Sequence, residues 1–163
     1  MKIIGDGGHA AVIRELIAAN PIERAVNDGV FVVAVGDNAA RKREVLSRSG
    51  EPLILWSLIH PFSWVSPSAS IGCGTVVMAG AVIQAGASIG TYCIINTGAT
   101  VDHGCTIGNY AHIAPGAHLC GNVTVGEGAL VGVGVGIAPG AKIPAWSLVK
   151  ARRLEIETLP DNG

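Results

Sequence analysis

The chain has 163 residues and a net charge of −1, and 49% of its residues are hydrophobic while only 4% are aromatic. So balanced a charge excludes a non-specific nucleic-acid binder, which needs many cationic contacts to phosphate. No apolar run approaches the length of a membrane span, no signal or transit peptide is recognisable, and the four cysteines show no CxxC spacing, so we expect a reduced, cytoplasmic protein.

The first third of the chain alternates short strands and helices. The sequence predicts strands at residues 1–4, 22–26, 30–35 and 53–55, and helices at 10–19 and after 37. Asp37 or Asn38 is suited to cap the second helix. Because such alternation is typical of a small parallel sheet, we expect a compact α/β domain over residues 1–62.

Glycines follow the first predicted strand in the pattern Gly5-x-Gly7-x-x-Ala10, directly before the first helix. This spacing matches the dinucleotide fingerprint, in which backbone amides approach a pyrophosphate at a helix N-terminus. About sixty residues are too few for a whole nicotinamide-binding domain, so we interpret the motif as a single mononucleotide or pyrophosphate site. The alternative is a glycine turn needed only for strand–helix packing. The strand ends near Asp28 and Gly36 are expected at the same sheet edge.

From residue 65 to residue 149 an aliphatic residue recurs at every sixth position. The aliphatic positions are Val65, Ile71, Val77, Ile83, Ile89, Ile95, Val101, Ile107, Ile113, Leu119, Val125, Val131, Ile137, Ile143 and Val149. Four residues after each of the first fourteen stands a small or modest side chain, and Cys93 and Cys105 are two of these. This pattern predicts a hexapeptide-repeat parallel β-helix over residues 63–150, followed by a tail at 151–163. Three hexads form one triangular coil, so residues eighteen apart should stack, giving between four and five coils.

His103 is the first candidate for chemistry. It occupies the third position of its hexad, outside the core, and stacking by eighteen places Ala85 below it and Gly121 above it. An imidazole flanked by small residues can face a groove and accept a proton near neutral pH. The backbone amide of Gly121 is suited to stabilise an oxyanion. The alternatives are a surface or trimer-contact histidine and a glycine required only for a turn.

His112 occupies the sixth position of its hexad, on a different part of the triangle from His103. It would approach a second chain's His103 only across an oligomer interface, and the alternative is a structural interface histidine. Asn96 could contact substrate, or form an asparagine ladder or turn. The spacing of His103, His112 and His118 puts no pair a whole number of coils apart, so we expect no metal site.

Several segments carry a family resemblance when they are taken together. They are residues 4–10, 34–38, 59–61, 94–99, 101–103 and 112–116. With these segments the chain resembles the sugar O- and N-acetyltransferases of the sialic-acid acetyltransferase type, closest to the nucleotide-sugar N-acetyltransferases that act on 4-amino-4,6-dideoxy sugars. The resemblance implies a mainly β fold, with a left-handed parallel β-helix preceded by a small α/β Rossmann-like domain. It also implies a homotrimer with acetyl-CoA between adjacent β-helices.

The resemblance also implies roles for single residues. His103 would be the general base for the sugar amine, the amide of Gly121 would hold the thioester oxyanion, and His112 and Val133 would contact acetyl-CoA. The nucleotide sugar would meet Gly7, Gly8, His9, Asn27, Asp28, Gly36 and Asn96. The chain departs from the family at Gly104, because an acidic residue usually follows the catalytic histidine there.

The sequence therefore predicts an acetyl-CoA-dependent N-acetyltransferase. Its substrate would be the amino group of a UDP- or dTDP-linked 4-amino-4,6-dideoxy sugar, acetylated directly and without a covalent acyl-enzyme. Two alternatives stay open at this point: a sugar O-acetyltransferase of the sialic-acid type, and a non-catalytic β-helix that serves as an assembly module. A carbonic-anhydrase-like metal hydratase is disfavoured by the histidine spacing.

Overall fold

The computed structural model describes residues 2–19, 31–50 and 57–151. The N-terminal unit contains β1 (Lys2–Ile4), α1 (Gly8–Ala18), β2 (Phe31–Val33) and α2 (Asn38–Ser47). β1 and β2 pair in parallel, with Ile3 opposite Val32. Helix α1 begins two residues earlier than predicted, and the predicted strands at 22–26 and 53–55 lie outside the described residues, as does the tail after residue 151.

The second part is a parallel β-solenoid of about five turns. Its strands are β3 (Leu58–Ile59), β4 (Trp64–Val65), β5 (Ser70–Ile71), β6 (Val76–Val77), β7 (Val82–Ile83), β8 (Ser88–Ile89), β9 (Ile94–Ile95), β10 (Thr100–Val101), β11 (Thr106–Ile107), β12 (His112–Ile113), β13 (His118–Leu119), β14 (Thr124–Val125), β15 (Leu130–Val131), β16 (Gly136–Ile137), β17 (Lys142–Ile143) and β18 (Leu148–Val149). They form three sheets. We call the sheet from β3 to β18 sheet C, that from β4 to β16 sheet D, and that from β5 to β17 sheet E.

The register of the solenoid confirms the predicted stacking by eighteen. Val101 pairs with Ile83 on one side and with Leu119 on the other, and the same offset recurs in all three sheets. The aliphatic residue that ends each strand points inward, and those between Val77 and Val131 are at most 3% exposed. Cys93 and Cys105 are buried thiols, as predicted. The small residues are needed because the interior narrows at each corner of the triangle.

The solenoid starts earlier than the six-residue pattern indicated. The boundary between the two parts was predicted after residue 62, but Leu58 and Ile59 form β3, whose partners are Val76 and Val77. This prediction was wrong because residue 59 continues the six-residue spacing back from Val65 by one step. The outward residues of this end of sheet C are apolar, and α1 packs against them. The buried members of this second hydrophobic core are Ala10, Ile13, Leu16, Ile17, Val32, Ala34, Leu58, Val76, Met78 and Ile94.

The backbone conformation at the corners of the solenoid also repeats every six residues. From residue 74 to residue 146, every sixth residue adopts a left-handed conformation with φ between 53° and 69°. Nine of these thirteen corner residues are glycine, which adopts such φ values without steric cost. The other four are Tyr92, Tyr110, Asn122 and Trp146.

Three of those exceptions form an aromatic column at the corner between sheets E and C. The Tyr92 and Tyr110 rings are stacked, with centroids 5.6 Å apart and planes 8° from parallel. The Trp146 ring lies against the backbone of Gly128, and Lys42 of α2 reaches both Tyr110 and Trp146 while pairing with Glu127. This column is the surface on which α2 docks. Neither described helix, nor any other described stretch, is a long apolar helix that could cross a membrane.

Candidate active site

His103 lies at the corner that follows β10, and its imidazole covers Gly121 of the next coil. A Cβ built on Gly121 would be 2.5 Å from Cε1 of His103 and 2.6 Å from its Nε2. Real Cβ atoms do not approach ring atoms so closely, so the imidazole can lie in this position only because residue 121 is glycine. The predicted stacking of His103 on Gly121 is confirmed, and the side chain of His103 remains exposed.

The backbone around His103 is fixed by its neighbours. Asp102 accepts a hydrogen bond from the backbone N–H of His103 through Oδ1, at 2.7 Å, and the carbonyl of His103 accepts one from the N–H of Asn122, at 2.9 Å. Within the described residues, the backbone N–H of Gly121 makes no hydrogen bond, while its carbonyl accepts one from Gly140. An uncommitted N–H beside an imidazole is what stabilisation of an oxyanion requires.

The departure at Gly104 has a structural reason. Gly104 is one of the corner residues, with φ of +65°, and a Cβ there would collide with Oδ1 of Asn122. Asn122 is itself a left-handed corner residue, which asparagine tolerates better than most residues. The Asn122 amide therefore occupies the space beside Gly104 that a side chain at residue 104 would enter. Among the described residues, no carboxylate bonds to the His103 imidazole.

His112 forms the start of β12 in sheet C, with its side chain half-buried. The amide of Asn96 donates from Nδ2 to Nε2 of His112 at 3.0 Å. The orientation of that amide is set because its Oδ1 already accepts a hydrogen bond from the N–H of Thr97 at 2.8 Å. Nε2 must therefore be unprotonated, and the neutral ring presents its hydrogen on Nδ1.

Electrostatics keep His112 neutral. Burial lowers its pKa to about 4, and the cation of Arg41 and the ring of His9 add to the effect. Burial likewise lowers the pKa of His9 to about 4, again with a contribution from Arg41. His9 of the N-terminal unit is therefore close enough to His112 on the solenoid to lower its pKa. At neutral pH both rings are therefore hydrogen-bonding groups without charge.

The glycines of the first turn fall into two kinds. Gly5 has φ of +122°, and a Cβ there would be 2.6 Å from the carbonyl oxygen of Ala34, so strand packing requires glycine at this position. A Cβ on Gly7 or Gly8 would meet nothing within 4 Å. Those two glycines border open space at the start of α1, whereas Gly5 fits the alternative of a turn needed for packing.

The other residues predicted for the nucleotide sugar are distributed as follows. Gly36 lies beside His9, since a Cβ on Gly36 would be 3.6 Å from that of His9. Asp37 caps α2 as predicted, accepting from the N–H of Ala40 at 2.7 Å. Asn27 and Asp28 lie outside the described residues. Their predicted contacts therefore stay predictions.

One chain does not bring the two histidines together. His103 lies at the corner between sheets D and E, while His112 lies on sheet C, which is the opposite side of the triangle. Val133, predicted to contact acetyl-CoA, is 61% exposed on the turn after β15, one coil beyond His112. The residues thus form two groups: His103 with Gly121, and His112 with Asn96, His9 and Gly36.

A groove of about 310 Å³ runs along sheet D beside the first group. Its lining residues are Val82, Gln84, Thr100, Asp102, His118, Leu119 and Cys120. His118 contributes a hydrogen bond between its Nδ1 and Oγ1 of Thr100, at 3.0 Å, so it is held on the face of the sheet. In residues 2–19, 31–50 and 57–151, no three histidine, cysteine or acidic side chains are grouped to hold a metal ion.

Sequence reasoning missed Arg41 in this region. It lies on the buried face of α2 together with Asn38 and Val45, at the spacing expected for one side of a helix. Asn38 and Arg41 are polar residues at positions that a core would normally fill with apolar side chains. That conflict between residue type and position is the signal that could have identified them.

Comparison with known proteins places this geometry in a family. The model described as "Bacterial transferase hexapeptide (six repeats)" matches residues 68–103 and 104–139. The UDP-N-acetylbacillosamine N-acetyltransferase of Bacillus subtilis (strain 168) is 42% identical over an alignment of 112 residues, with 48% of this chain and 51% of that protein covered. The match thus spans about half the length of that curated relative.

Two solved structures are similar over almost the whole chain. The acetyltransferase domain of PglB from Neisseria gonorrhoeae FA1090, in complex with acetyl coenzyme A, is 34% identical with a TM-score of 0.85, covering 98% of this chain and 92% of that one. PerB from Caulobacter crescentus, in complex with CoA and GDP-perosamine, is 36% identical with a TM-score of 0.85, covering 99% and 90%. The chain therefore belongs to the acetyltransferases of the bacterial hexapeptide transferase family.

Proposed function

We propose that the protein transfers the acetyl group of acetyl-CoA to the amino group of a nucleotide-linked 4-amino-4,6-dideoxy sugar. The observation that carries this proposal is the imidazole of His103 lying over the uncommitted amide of Gly121. A base beside an oxyanion donor is the pair of groups that acyl transfer to an amine requires. The relatives support the choice of substrates, because one is named for a UDP-linked sugar and another was solved with GDP-perosamine.

In this mechanism the exposed His103 removes a proton from the attacking sugar amine. The backbone N–H of Gly121 donates to the thioester oxygen as negative charge develops there. The nitrogen attacks the acetyl carbonyl carbon directly, the carbon–sulfur bond breaks, and coenzyme A leaves as the thiol after its sulfur takes up the proton that His103 removed. Cys93 and Cys105 are unsuited to form an acyl-enzyme, since both point into the core and burial raises the pKa of both thiols.

His112 plays a different part from His103. With Nε2 committed to Asn96, its Nδ1–H is a neutral donor suited to the acyl or pantetheine carbonyls of acetyl-CoA. Since His103 and His112 lie on opposite sides of one solenoid, we infer that a site contains His103 of one subunit and His112 of the next. A homotrimer with three equivalent sites satisfies this requirement. Val133 would contact acetyl-CoA further along the same cleft.

The N-terminal unit would hold the nucleotide part of the substrate. Open space at Gly7 and Gly8, next to His9 and Gly36, supports a phosphate or sugar at this edge. We take this unit to be related to Rossmann-like nucleotide sites, and the solenoid to be left-handed, as the family resemblance implies. Because the relatives include both UDP- and GDP-linked sugars, guanosine joins uridine and thymidine as a base to be tested.

A thiol-release assay with acetyl-CoA tests the reaction directly. The acceptors are UDP-, dTDP- and GDP-linked 4-amino-4,6-dideoxy sugars, with CMP-sialic acid and free sialic acid included. Release with one amino sugar, lost in His103→Ala, is the expected result. Release with sialic acid alone would instead establish O-acetylation. Acetyl-CoA binding without release from any acceptor would contradict the proposed substrate class.

The shared site can be tested by mixing two inactive variants. His103→Ala and His112→Asn each destroy one half of every site in their own homotrimers. Random mixed trimers should regain about a quarter of the wild-type activity, because that share of the interfaces combines an intact His103 with an intact His112. If both histidines served one site within a single chain, mixing would restore nothing.

A further inference from the structure

Arg41 is an unusual buried charge. Its side chain is among the most buried in the described residues, with 2% of the residue exposed, and no carboxylate pairs with it. Burial lowers the pKa of Arg41 to about 10, so that it stays protonated at neutral pH. A buried cation without an acidic partner is costly unless every donor is satisfied.

All five N–H groups of Arg41 have acceptors. Nε donates to the carbonyl of Tyr92 at 2.8 Å, and Nη2 donates to the carbonyl of Tyr110 at 2.7 Å and to Oδ1 of Asn38 at 2.9 Å. Nη1 donates to the carbonyls of Val35 and Gly36, each at 3.0 Å. The Arg41 guanidinium is therefore bound by four backbone carbonyls and one side-chain amide oxygen.

These acceptors belong to the solenoid, to the loop after β2 and, in the case of Asn38, to the start of α2. Tyr92 and Tyr110 are corner residues of two successive coils, at the edge of sheet C that carries His112. Val35 and Gly36 lie in the loop after β2, at the carboxyl edge of the N-terminal sheet, where Gly36 lies beside His9. A single guanidinium thus ties the loop next to His9 to the solenoid.

We infer that Arg41 is a positioning residue, which sets the spacing between the nucleotide-sugar edge at Gly36 and His9 and the strand that carries His112. The inference rests on the proposed function, since it concerns how the proposed substrate is placed. Asn38 completes the same junction, because its Nδ2 donates to the carbonyl of Gly128 at 3.1 Å. Four of the fixed points are backbone atoms, so their spacing is a property of the junction and not of flexible side chains.

Lysine cannot replace arginine here. A lysine ammonium has three donors on a flexible stem, whereas the guanidinium presents five in a rigid fork. Arg41→Lys keeps the positive charge near His9 and His112 but leaves at least two of the buried acceptors without a donor. The variant therefore separates the geometric role of Arg41 from its charge.

The test compares Arg41→Lys with Arg43→Lys, a matched control on the exposed side of the same helix. Calorimetry measures the binding of acetyl-CoA and of the nucleotide-linked amino sugar that supports thiol release in the wild type. For Arg41→Lys we expect the Kd of the sugar to rise about tenfold or more, since buried acceptors lose their donors. The Kd of acetyl-CoA should stay within about twofold, because the bond between His112 and Asn96 belongs to the solenoid alone.

Hydrogen exchange gives a second readout that needs no ligand. Amides of residues 35–41 should exchange faster in Arg41→Lys than in Arg43→Lys or the wild type. Equal exchange and an unchanged sugar Kd would overturn the inference, as would equal losses of sugar and acetyl-CoA binding, which indicate a general structural defect. If the wild type bound no sugar of the panel, the proposed function would fail, while the exchange data would still decide whether Arg41 holds the loop.

Asn38→Ala serves if Arg41→Lys does not fold. It removes the donor to Gly128 and one acceptor of Arg41 but leaves the guanidinium on its four carbonyls. The same selective loss of sugar affinity is expected, at about tenfold or less. Full sugar affinity in folded Asn38→Ala would count against a positioning role for this junction.

Discussion

The imidazole of His103 lies directly over the backbone of Gly121, one coil further along the solenoid. Its Cε1 and Nε2 atoms come within 2.5 Å and 2.6 Å of the point where a Cβ of residue 121 would stand. Because Gly121 has no side chain, the ring can rest against the coil above and stay accessible to a substrate. The base and the oxyanion donor of the proposed reaction are therefore neighbours as a direct result of stacking by eighteen.

Gly121→Ala should lower kcat by about 100-fold, because the new methyl group displaces the imidazole and shields the amide that stabilises the oxyanion. The backbone of Gly121 is not in the left-handed region, so the fold should tolerate alanine. Steady-state kinetics with the thiol-release assay, together with a thermal melt, measure both effects.

Gly136→Ala is the matched control for this change. Gly136 lies on the next strand of sheet D, and a Cβ there would meet nothing within 4 Å. It should keep nearly normal turnover. Equal activity in the two alanine variants would show that the contact between His103 and Gly121 has no part in the reaction.

His103→Ala should lower kcat by roughly 10²–10⁴-fold, which is the usual contribution of a general base. The side chain is exposed, so its loss should leave the melting temperature within about 2 °C of the wild type. His60→Ala is a suitable histidine control, since His60 follows β3 about two coils away. A variant at residue 103 with near-normal turnover would remove this histidine from the role of base.

The solenoid could be predicted in detail because its core repeats a single physical requirement. Inward positions accept only aliphatic side chains, and positions near a corner accept only small ones, so the spacing itself reveals the three sheets. The left-handed corner residues recur equally regularly, at every sixth position from Gly74 to Trp146. The aliphatic repeat is the more conspicuous of the two patterns in the sequence. This second repeat explains why residue 104 is glycine, although the family resemblance leads us to expect an acidic residue there.

The junction between the two parts could not be predicted in the same way. Arg41, Asn38 and Lys42 form hydrogen bonds to solenoid residues 51 to 91 positions away. No local periodicity in the sequence indicates that the Arg41 guanidinium bonds to backbone carbonyls of two different coils. The position of His112 relative to His9 likewise depends on how α2 docks. That residues of both parts of the chain form this group is therefore visible only in the structure.

Stability should fall as the pH falls from about 6.5 towards 4, owing in part to His112. Its pKa is about 4 in the folded protein against 6.5 for an ordinary histidine, mainly because of burial. In that window the unfolded chain binds a proton that the folded protein does not, so protonation favours unfolding. Below about 4 both states are protonated, and this contribution to the pH dependence ends.

Urea denaturation at pH 7.5 and pH 4.5 measures this effect. The midpoint of the wild type should decrease more between the two pH values than that of His112→Gln, which cannot titrate. His9 has a similarly lowered pKa, so the double variant with His9→Gln should show a still smaller decrease. Parallel decreases in all three proteins would mean that neither histidine is kept neutral by the fold.

Gly128→Ala should destabilise the protein by about 2–4 kcal/mol, combining the cost of a left-handed alanine with overpacking against Trp146. Gly128 has φ of +63°, and the indole ring lies where its Cβ would go. Gly140→Ala is the matched control, since Gly140 has φ of +69° but a Cβ there would meet nothing within 4 Å. That control should lose only about 1 kcal/mol from backbone strain.

The difference between the two variants isolates the role of the aromatic column. Displacement of the indole should also alter tryptophan fluorescence in Gly128→Ala and weaken the contact of Lys42 with the Trp146 ring, whose centroid is 5.0 Å from Nζ. Because Lys42 belongs to α2, the docking of the N-terminal unit should loosen, and exchange of α2 amides should increase. Equal destabilisation by the two substitutions, with equal exchange of the α2 amides, would show that the ring moves aside without cost and that the column does not hold α2.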